Sequence, residues 1–485
     1  MATHPPSGGA DESQPDQKIE EQSDSLVAET KKLAEEMHRR CRVLLDELLQ
    51  FQAHLKALKK EARVEVRCFK GGVQSELRIL GKLLKSDPAD PKTAHGLRSS
   101  NLSFYGLVWS IAKTCRSVIG LEKKFFKIHA KADIVSEDGL SWTMVSSVTE
   151  KKIIWDLAKA GWVDSCGESE DDFEVLEDDK PEGLLRQVEA LVKASRATVV
   201  HGRHPKTTLV LPKIKAVPDS KEVGAILQKI RNMGVVILTS QELPTGPPLP
   251  ADAIEQMAAD RLNCFSDTLN IDCTILLAFA SDLSHGRVEP AQWHNRAIAR
   301  QIEIEAEDLL LPSSLWPACG SRKLVTTKES ADRMREIIKT IGSEDESKRA
   351  SLLLGLDENS HLPQEQLVKH FQTLTDYPVP AEWSLPIKIV DTDMATIITS
   401  LPAFAENVAE KLTPINRSVF FYGWANRMTI LSSNAGVAKV FDHAVEQSSD
   451  PDSAGPDIWL SPTCRSLVGK EKKRRGFTER EEGTL

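Results

Sequence analysis

The sequence predicts an α/β protein in which a helical and mixed α/β N-terminal half precedes a C-terminal α/β domain built on a parallel sheet. Three observations predict it. Leu33, Met37, Val43, Leu44, Leu48, Phe51, Leu55 and Leu58 recur at the spacing of an amphipathic helix. From residue 184 onward, short aliphatic runs alternate with segments of helical length, the pattern of βαβ units and a parallel sheet. Further on, LNIDCTILLAFASDLSHG, Leu269 to Gly286, sets one acidic residue, Asp272, inside an otherwise apolar run.

Residues 1–25 are rich in Pro, Gly, Ser, Asp and Glu and bury too little apolar surface to offset chain entropy, so they read as a disordered tail. Helices are predicted over 26–60, 73–84 and 104–126, with a proline-containing break at 87–91. Short strands over 132–135 and 142–148 flank a turn at Asp138 and Gly139, and 151–160 returns to helix, so 26–165 form one helical module with short strands. Residues 166–182, which include CGESEDDFEVLEDDK, are a flexible acidic insertion, with docking of a basic partner as the other reading. Helix 184–195, strand 207–211, helix 221–233 and strand 235–238 make an α/β segment, 183–250, that runs into the linker GPPLPADA beginning at Gly246. The C-terminal domain, 251–465, continues with strand 269–272, helix 273–281, strand 323–325 and helix 328–341. A loop-rich interval carries Pro363, Pro378, Pro380 and Pro386 before strand 418–422 and helix 426–437. The last segment, 466–485, is a basic disordered tail whose KEKKRRG is a candidate nuclear-localisation or nucleic-acid patch.

Composition narrows the function classes. Of 485 residues, 40% are hydrophobic and 27% charged, which suits a globular protein with a sizeable core. The net charge of −9 supplies no global basic field, so any nucleic-acid contact has to be local. Eight cysteines without a CxxC pair argue against a zinc ribbon and a secreted disulfide framework. The polar N-terminus lacks the apolar core of a signal peptide, and no segment is apolar enough to span a membrane. A cytoplasmic or nuclear protein is expected. Walker A, GxGxxG, GxSxG and HExxH motifs are missing, which removes the usual anchors of kinase-like, dehydrogenase, serine hydrolase and zincin readings.

Asp272 is the first suspect for chemistry, because an isolated ionised group removed from water costs many kcal/mol unless it is paired or holds a metal. The segment around it, followed by KLVTTKESADRMREIIKTIG and INRSVFFYGWANRMTILSSNAGVAKV, resembles an uncharacterised eukaryotic family, domain of unknown function thirteen-oh-eight. That family has a divergent PIN-like nuclease domain in its C-terminal half. FKGG at Phe69, SSNLS at Ser99 and ADIVSEDGLSW at Ala132 extend the resemblance to the N-terminal half.

The resemblance implies a three-layer PIN-like domain over 251–465, in which carboxylates at the carboxyl ends of parallel strands hold Mg²⁺ or Mn²⁺ for phosphodiester hydrolysis, with RNA as the expected substrate. Asp272 matches the first acidic position and Glu329 the second, and both are assigned as metal ligands and catalytic residues. Glu406 is the nearest candidate for the third, with Asp391 and Asp393 as alternatives. The fourth falls on Asn426 where the family has Asp, and a neutral amide oxygen is a poorer ligand, so weak or absent activity follows.

Each residue also has a plain reading. Asp272 and Asn426 suit helix N-caps, Glu329 suits a first helical turn, and Glu406 suits a solvated helix face. HGRH, His201 to His204, and the pairs Arg335, Lys339 and Lys348, Arg349 are weaker candidates for metal or phosphate contacts. The alternative to a degenerate nuclease is a non-catalytic PIN-like binding or scaffolding protein with an unknown protein partner.

Overall fold

The computed structural model describes residues 14–125, 129–165, 183–243, 250–290, 294–448, 450 and 452–467. The acidic stretch 166–182, the first residues of the 246–253 linker and the basic run 470–476 lie outside them. The chain divides into two compact units, Met1–Ser195 with Pro205–Asp260, and Arg196–His204 with Arg261–Leu485. The helical module and the α/β segment that the sequence separated therefore form one unit.

In the first unit, α1 (Gln14–Ala57) starts inside the stretch expected to be disordered. Composition underrated the helix propensity of its Gln, Glu and Lys residues. Cys41, Leu44, Leu48, Phe51 and Leu55 are its buried stripe, whereas Leu33, Val43 and Leu58 stay exposed. Helices α2 (Arg67–Leu83), α3 (Pro91–Arg98) and α4 (Leu102–Ala112) pack near it. Glu47 joins α1 to α4 by accepting from Trp109 Nε1 at 2.7 Å and from Lys113 Nζ at 2.9 Å. The helix expected over 104–126 ends at Ala112, and β1 (Gly120–Phe125) pairs antiparallel with β2 (Ala130–Ser136). Here cross-strand pairing overrides a local pattern that reads equally well as helix.

β3 (Ser141–Val145) and α5 (Glu150–Ser165) follow, then α6 (Leu184–Arg196), β4 (Lys206–Leu211), α7 (Lys221–Asn232), β5 (Val236–Thr239) and α8 (Pro250–Met257). The sheet order is β1-β2-β3-β4-β5, antiparallel at β1–β2–β3 and parallel at β3–β4–β5. Strand alternation gives each face its own core. Val210 faces α1, α2 and α4 with Ile134 and Val145, while Leu209 and Leu211 face α6 and α7.

The second unit holds β6 (Thr268–Ile271), α9 (Cys273–Ala280), α10 (Arg296–Glu307), α11 (Trp316–Cys319), β7 (Lys323–Thr327) and α12 (Lys328–Ile341). It continues with α13 (Glu344–Leu354), α14 (Gln364–Gln372), β8 (Lys388–Val390), α15 (Met394–Thr399) and α16 (Phe404–Lys411). Helix α17 (Pro414–Ala425), β9 (Thr429–Ser432), α18 (Ala435–Glu446) and β10 (Ile458–Leu460) complete it. All five strands are parallel, in the order β10-β9-β6-β7-β8. Leu269 and Ile271 face the core of α9, α12 and α13, and Ile430 faces that of α16, α17 and α18. Helices thus cover both faces of a parallel sheet, as such sheets require.

Two expected elements are corrected. Residues 418–422 are not a strand but the middle of α17, and the helix expected over 426–437 begins at Ala435, after β9. A short apolar run such as SVFFY does not distinguish a strand from a buried helix. Thr413, whose side chain accepts from Asn416 N–H, and Pro414 in the first turn are the start signal that decides for helix. Gly423 lets α17 lie close on the sheet, since a Cβ there would stand 2.5 Å from Ile430 Cγ1 and 3.0 Å from Asn270 Nδ2.

Candidate functional site

From β6 the chain steps outward through β7 to β8, then returns to the other flank of β6 as β9. Between β6 and β9 the direction of winding reverses, and in open α/β sheets the crevice outside the carboxyl ends at such a switch point is where ligands bind. Asp272 leaves β6 at this point, and Ser432 ends β9 beside it.

Asp272 is only 2% exposed. It stands at the N-cap position of α9, with ψ 155°, but makes no capping hydrogen bond. Its Oδ2 accepts instead from Ser432 Oγ at 2.6 Å and Thr274 Oγ1 at 2.7 Å. These hydroxyls accept in turn from the backbone of the β9–α18 turn. Asn434 N–H donates to Ser432 Oγ and Ser433 N–H donates to Thr274 Oγ1, both at 3.0 Å. Asn434 then caps α18, its side chain accepting from Val437 N–H. One carboxylate oxygen therefore anchors the exit of β9 through two hydroxyls. Burial pushes the Asp272 carboxyl above its ordinary range, opposed by the Ser432 and Thr274 hydroxyls and the nearby N–H groups of Cys273 and Thr274.

Glu329 sits in the first turn of α12, half-buried at the same carboxyl edge, after the neighbouring strand β7. Its oxygens lie 3.3 and 3.5 Å from Thr392 Oγ1, just past β8. Asp391 and Asp393 flank that threonine. Asp391 lies 3.8 Å from Lys328 Nζ, and Asp393 caps α15.

The remaining expected ligands do not join Asp272. Glu406 is exposed on α16, whose Ala405, Val408 and Ala409 face the core. Asn426 is the C-cap of α17 rather than an N-cap, and its Nδ2 donates to Tyr422 O at 2.8 Å. It precedes β9, whereas Asp272 meets the far end of that strand, with Asp272 N–H donating to Leu431 O. Among the described residues no group of three or more His, Cys, Asp or Glu side chains is placed to hold a metal ion. The resemblance implies three or four carboxylates around Mg²⁺ or Mn²⁺, whereas the side chains hydrogen-bonded to Asp272 are two neutral hydroxyls, so the groups gathered there fall short of that set.

Several of the weaker candidates have structural partners. Arg349 is buried, paired with Asp282 at 2.7 Å and donating to the carbonyls of Ala280 and Leu374. Lys348 pairs with Glu344 and Arg335 with Asp332. In HGRH, His204 Nδ1 lies 3.0 Å from Thr198 O, and Gly202 O accepts from Gly455 N–H at 2.8 Å. In the first unit the three N-terminal motifs are tied to neighbouring segments. Glu76 accepts from Ser100 Oγ at 2.6 Å, Tyr105 packs on Gly72, and Lys131, 5.4 Å from the Phe104 ring centroid, pairs with Glu122 and Asp133.

Thr274, and the pairing of Ser432 with Asp272, were missed in the sequence. The available signals were a threonine two residues after Asp272 and the doubled serine of SSNAG, and neither is informative until the strand order is known.

The second unit is thus an α/β protein of the parallel-sheet class, with a buried carboxylate at its switch point. Residues 269–377 match the family model described as Protein of unknown function (DUF1308). This span takes in LNIDCTILLAFASDLSHG and KLVTTKESADRMREIIKTIG, the first two motifs of the resemblance, and stops before the third. No curated protein and no solved structure matches the chain.

Proposed function

We propose that the C-terminal unit is a non-catalytic binding or scaffolding module with a PIN-like fold. The observation that carries this reading is the engagement of Asp272 Oδ2 by Ser432 and Thr274, whose hydroxyls hold the turn after β9. In this role the carboxylate builds the edge of the sheet, and the crevice beside it receives a ligand or partner without bond cleavage. A second reading, a Mg²⁺- or Mn²⁺-dependent ribonuclease using Asp272 and Glu329, is favoured by one feature. Both acids follow adjacent parallel strands to the same carboxyl edge.

Incubation of the chain with labelled single-stranded RNA and Mn²⁺, beside an Asp272→Asn variant and an EDTA control, separates the two. Intact RNA in all three is expected. Cleavage by the wild type that both controls abolish would establish the ribonuclease and end the scaffolding reading.

A further inference from the structure

A cleft of about 500 Å³ opens in the second unit at the amino edge of its sheet, the opposite end of β9 from Asp272. Arg203, Ser266, Trp424, Arg427, Met428 and Asp457 are among the residues that line it. The polar wall is internally satisfied. Asp457 accepts from Thr429 Oγ1 at 2.7 Å and is paired with Arg261. Ser266 Oγ donates to Thr268 O at 2.6 Å and accepts from Thr429 N–H at 2.8 Å, and Trp424 Nε1 donates to Ala454 O at 3.1 Å. The guanidinium groups of Arg203 and Arg427 differ, since neither has an ion-pair or hydrogen-bond partner among the described residues. Two cations from distant parts of the chain therefore line one cleft with their donors free.

The backbone at Arg427 adds an independent observation. Met428 N–H donates to Gly423 O and Arg427 N–H to Trp424 O, the two bonds of a Schellman ending on α17. Arg427 occupies its left-handed position with φ 53°, where glycine is the favoured residue. Backbone preference does not explain an arginine there, whereas a cationic role in the cleft does.

We propose that this cleft binds a small organic phosphomonoester, its phosphate held by Arg203 and Arg427 and its organic part against Trp424 and Met428. Guanidinium forks match phosphate oxygens in paired, charge-assisted hydrogen bonds. The volume falls within the roughly 300 to 1,000 Å³ of small-molecule sites.

Calorimetric titration of the full chain with phenyl phosphate, beside benzoate and inorganic phosphate, tests the assignment. Saturable binding of phenyl phosphate is expected, about tenfold or more tighter than either comparison compound. Arg203→Ala and Arg427→Gly should each weaken it by about tenfold or more. Arg427→Gly should leave the melting temperature unchanged or raised, because glycine suits the left-handed position, so a loss of binding there is not a loss of fold. The proposal is overturned by absence of saturable binding to the folded wild type, by equal affinity for benzoate or inorganic phosphate, or by undiminished binding to Arg427→Gly.

Discussion

At Asp272, burial and hydrogen bonding pull in opposite directions, and burial prevails. A folded-state carboxyl titrating above its ordinary value of 3.8 binds more protons than the unfolded chain does. Its contribution to stability is therefore full at low pH and is lost as pH rises through the folded value. Asparagine keeps an acceptor for Ser432 and Thr274 without ionising. Asp272→Asn should be at least as stable as wild type at neutral pH, by an advantage that shrinks as pH falls toward 3.8, in urea unfolding followed across that range. Asp272→Ala should instead lose about 1–3 kcal/mol, because two buried hydroxyls lose their acceptor. Equal stability of the Ala and Asn variants would contradict the anchoring role.

Among the elements, α17 and β9 decide where the site lies. The sequence reading placed Asp272 at a strand's carboxyl end and Glu329 in a first helical turn, and both stand there, because one acid within an apolar strand and one at a helix start are local signals. Asn426 was placed at the same edge only because SVFFY was read as the strand. The actual strand, TILS, is four residues long and was hidden inside an expected helix. The hydroxyl partners of Asp272 were not legible for a different reason. Ser432 is far from Asp272 in sequence, and the two become neighbours only once β9 is laid against β6. Helix α17 can cover that pair of strands because Gly423 has no side chain. Gly423→Ala should destabilise the protein by about 1–3 kcal/mol through overpacking on Ile430 and Asn270. A chemical denaturation midpoint equal to that of wild type would show that the helix shifts freely.

For the whole molecule, the periodicity of apolar residues carried the fold class in both units, while the partition of the chain was less legible. The sequence separates the module before the acidic insertion at 166–182 from the α/β segment after it, yet β3 before it pairs in parallel with β4 after it. Parallel pairing across a long connection leaves no local mark in a sequence, whereas the mixed sheet of the first unit and the wholly parallel sheet of the second are plain in the strand registers. At the second unit's carboxyl edge, a carboxylate that anchors a turn and one that ligates a metal differ most directly in their response to cations. Anything that binds the folded state alone raises its melting temperature with concentration. Thermal unfolding of wild type and Asp272→Asn across a Mn²⁺ titration is the decisive measurement. No saturable shift that depends on Asp272 is expected, and a saturable Mn²⁺ stabilisation of the wild type that disappears in Asp272→Asn would contradict the structural role assigned to this carboxylate.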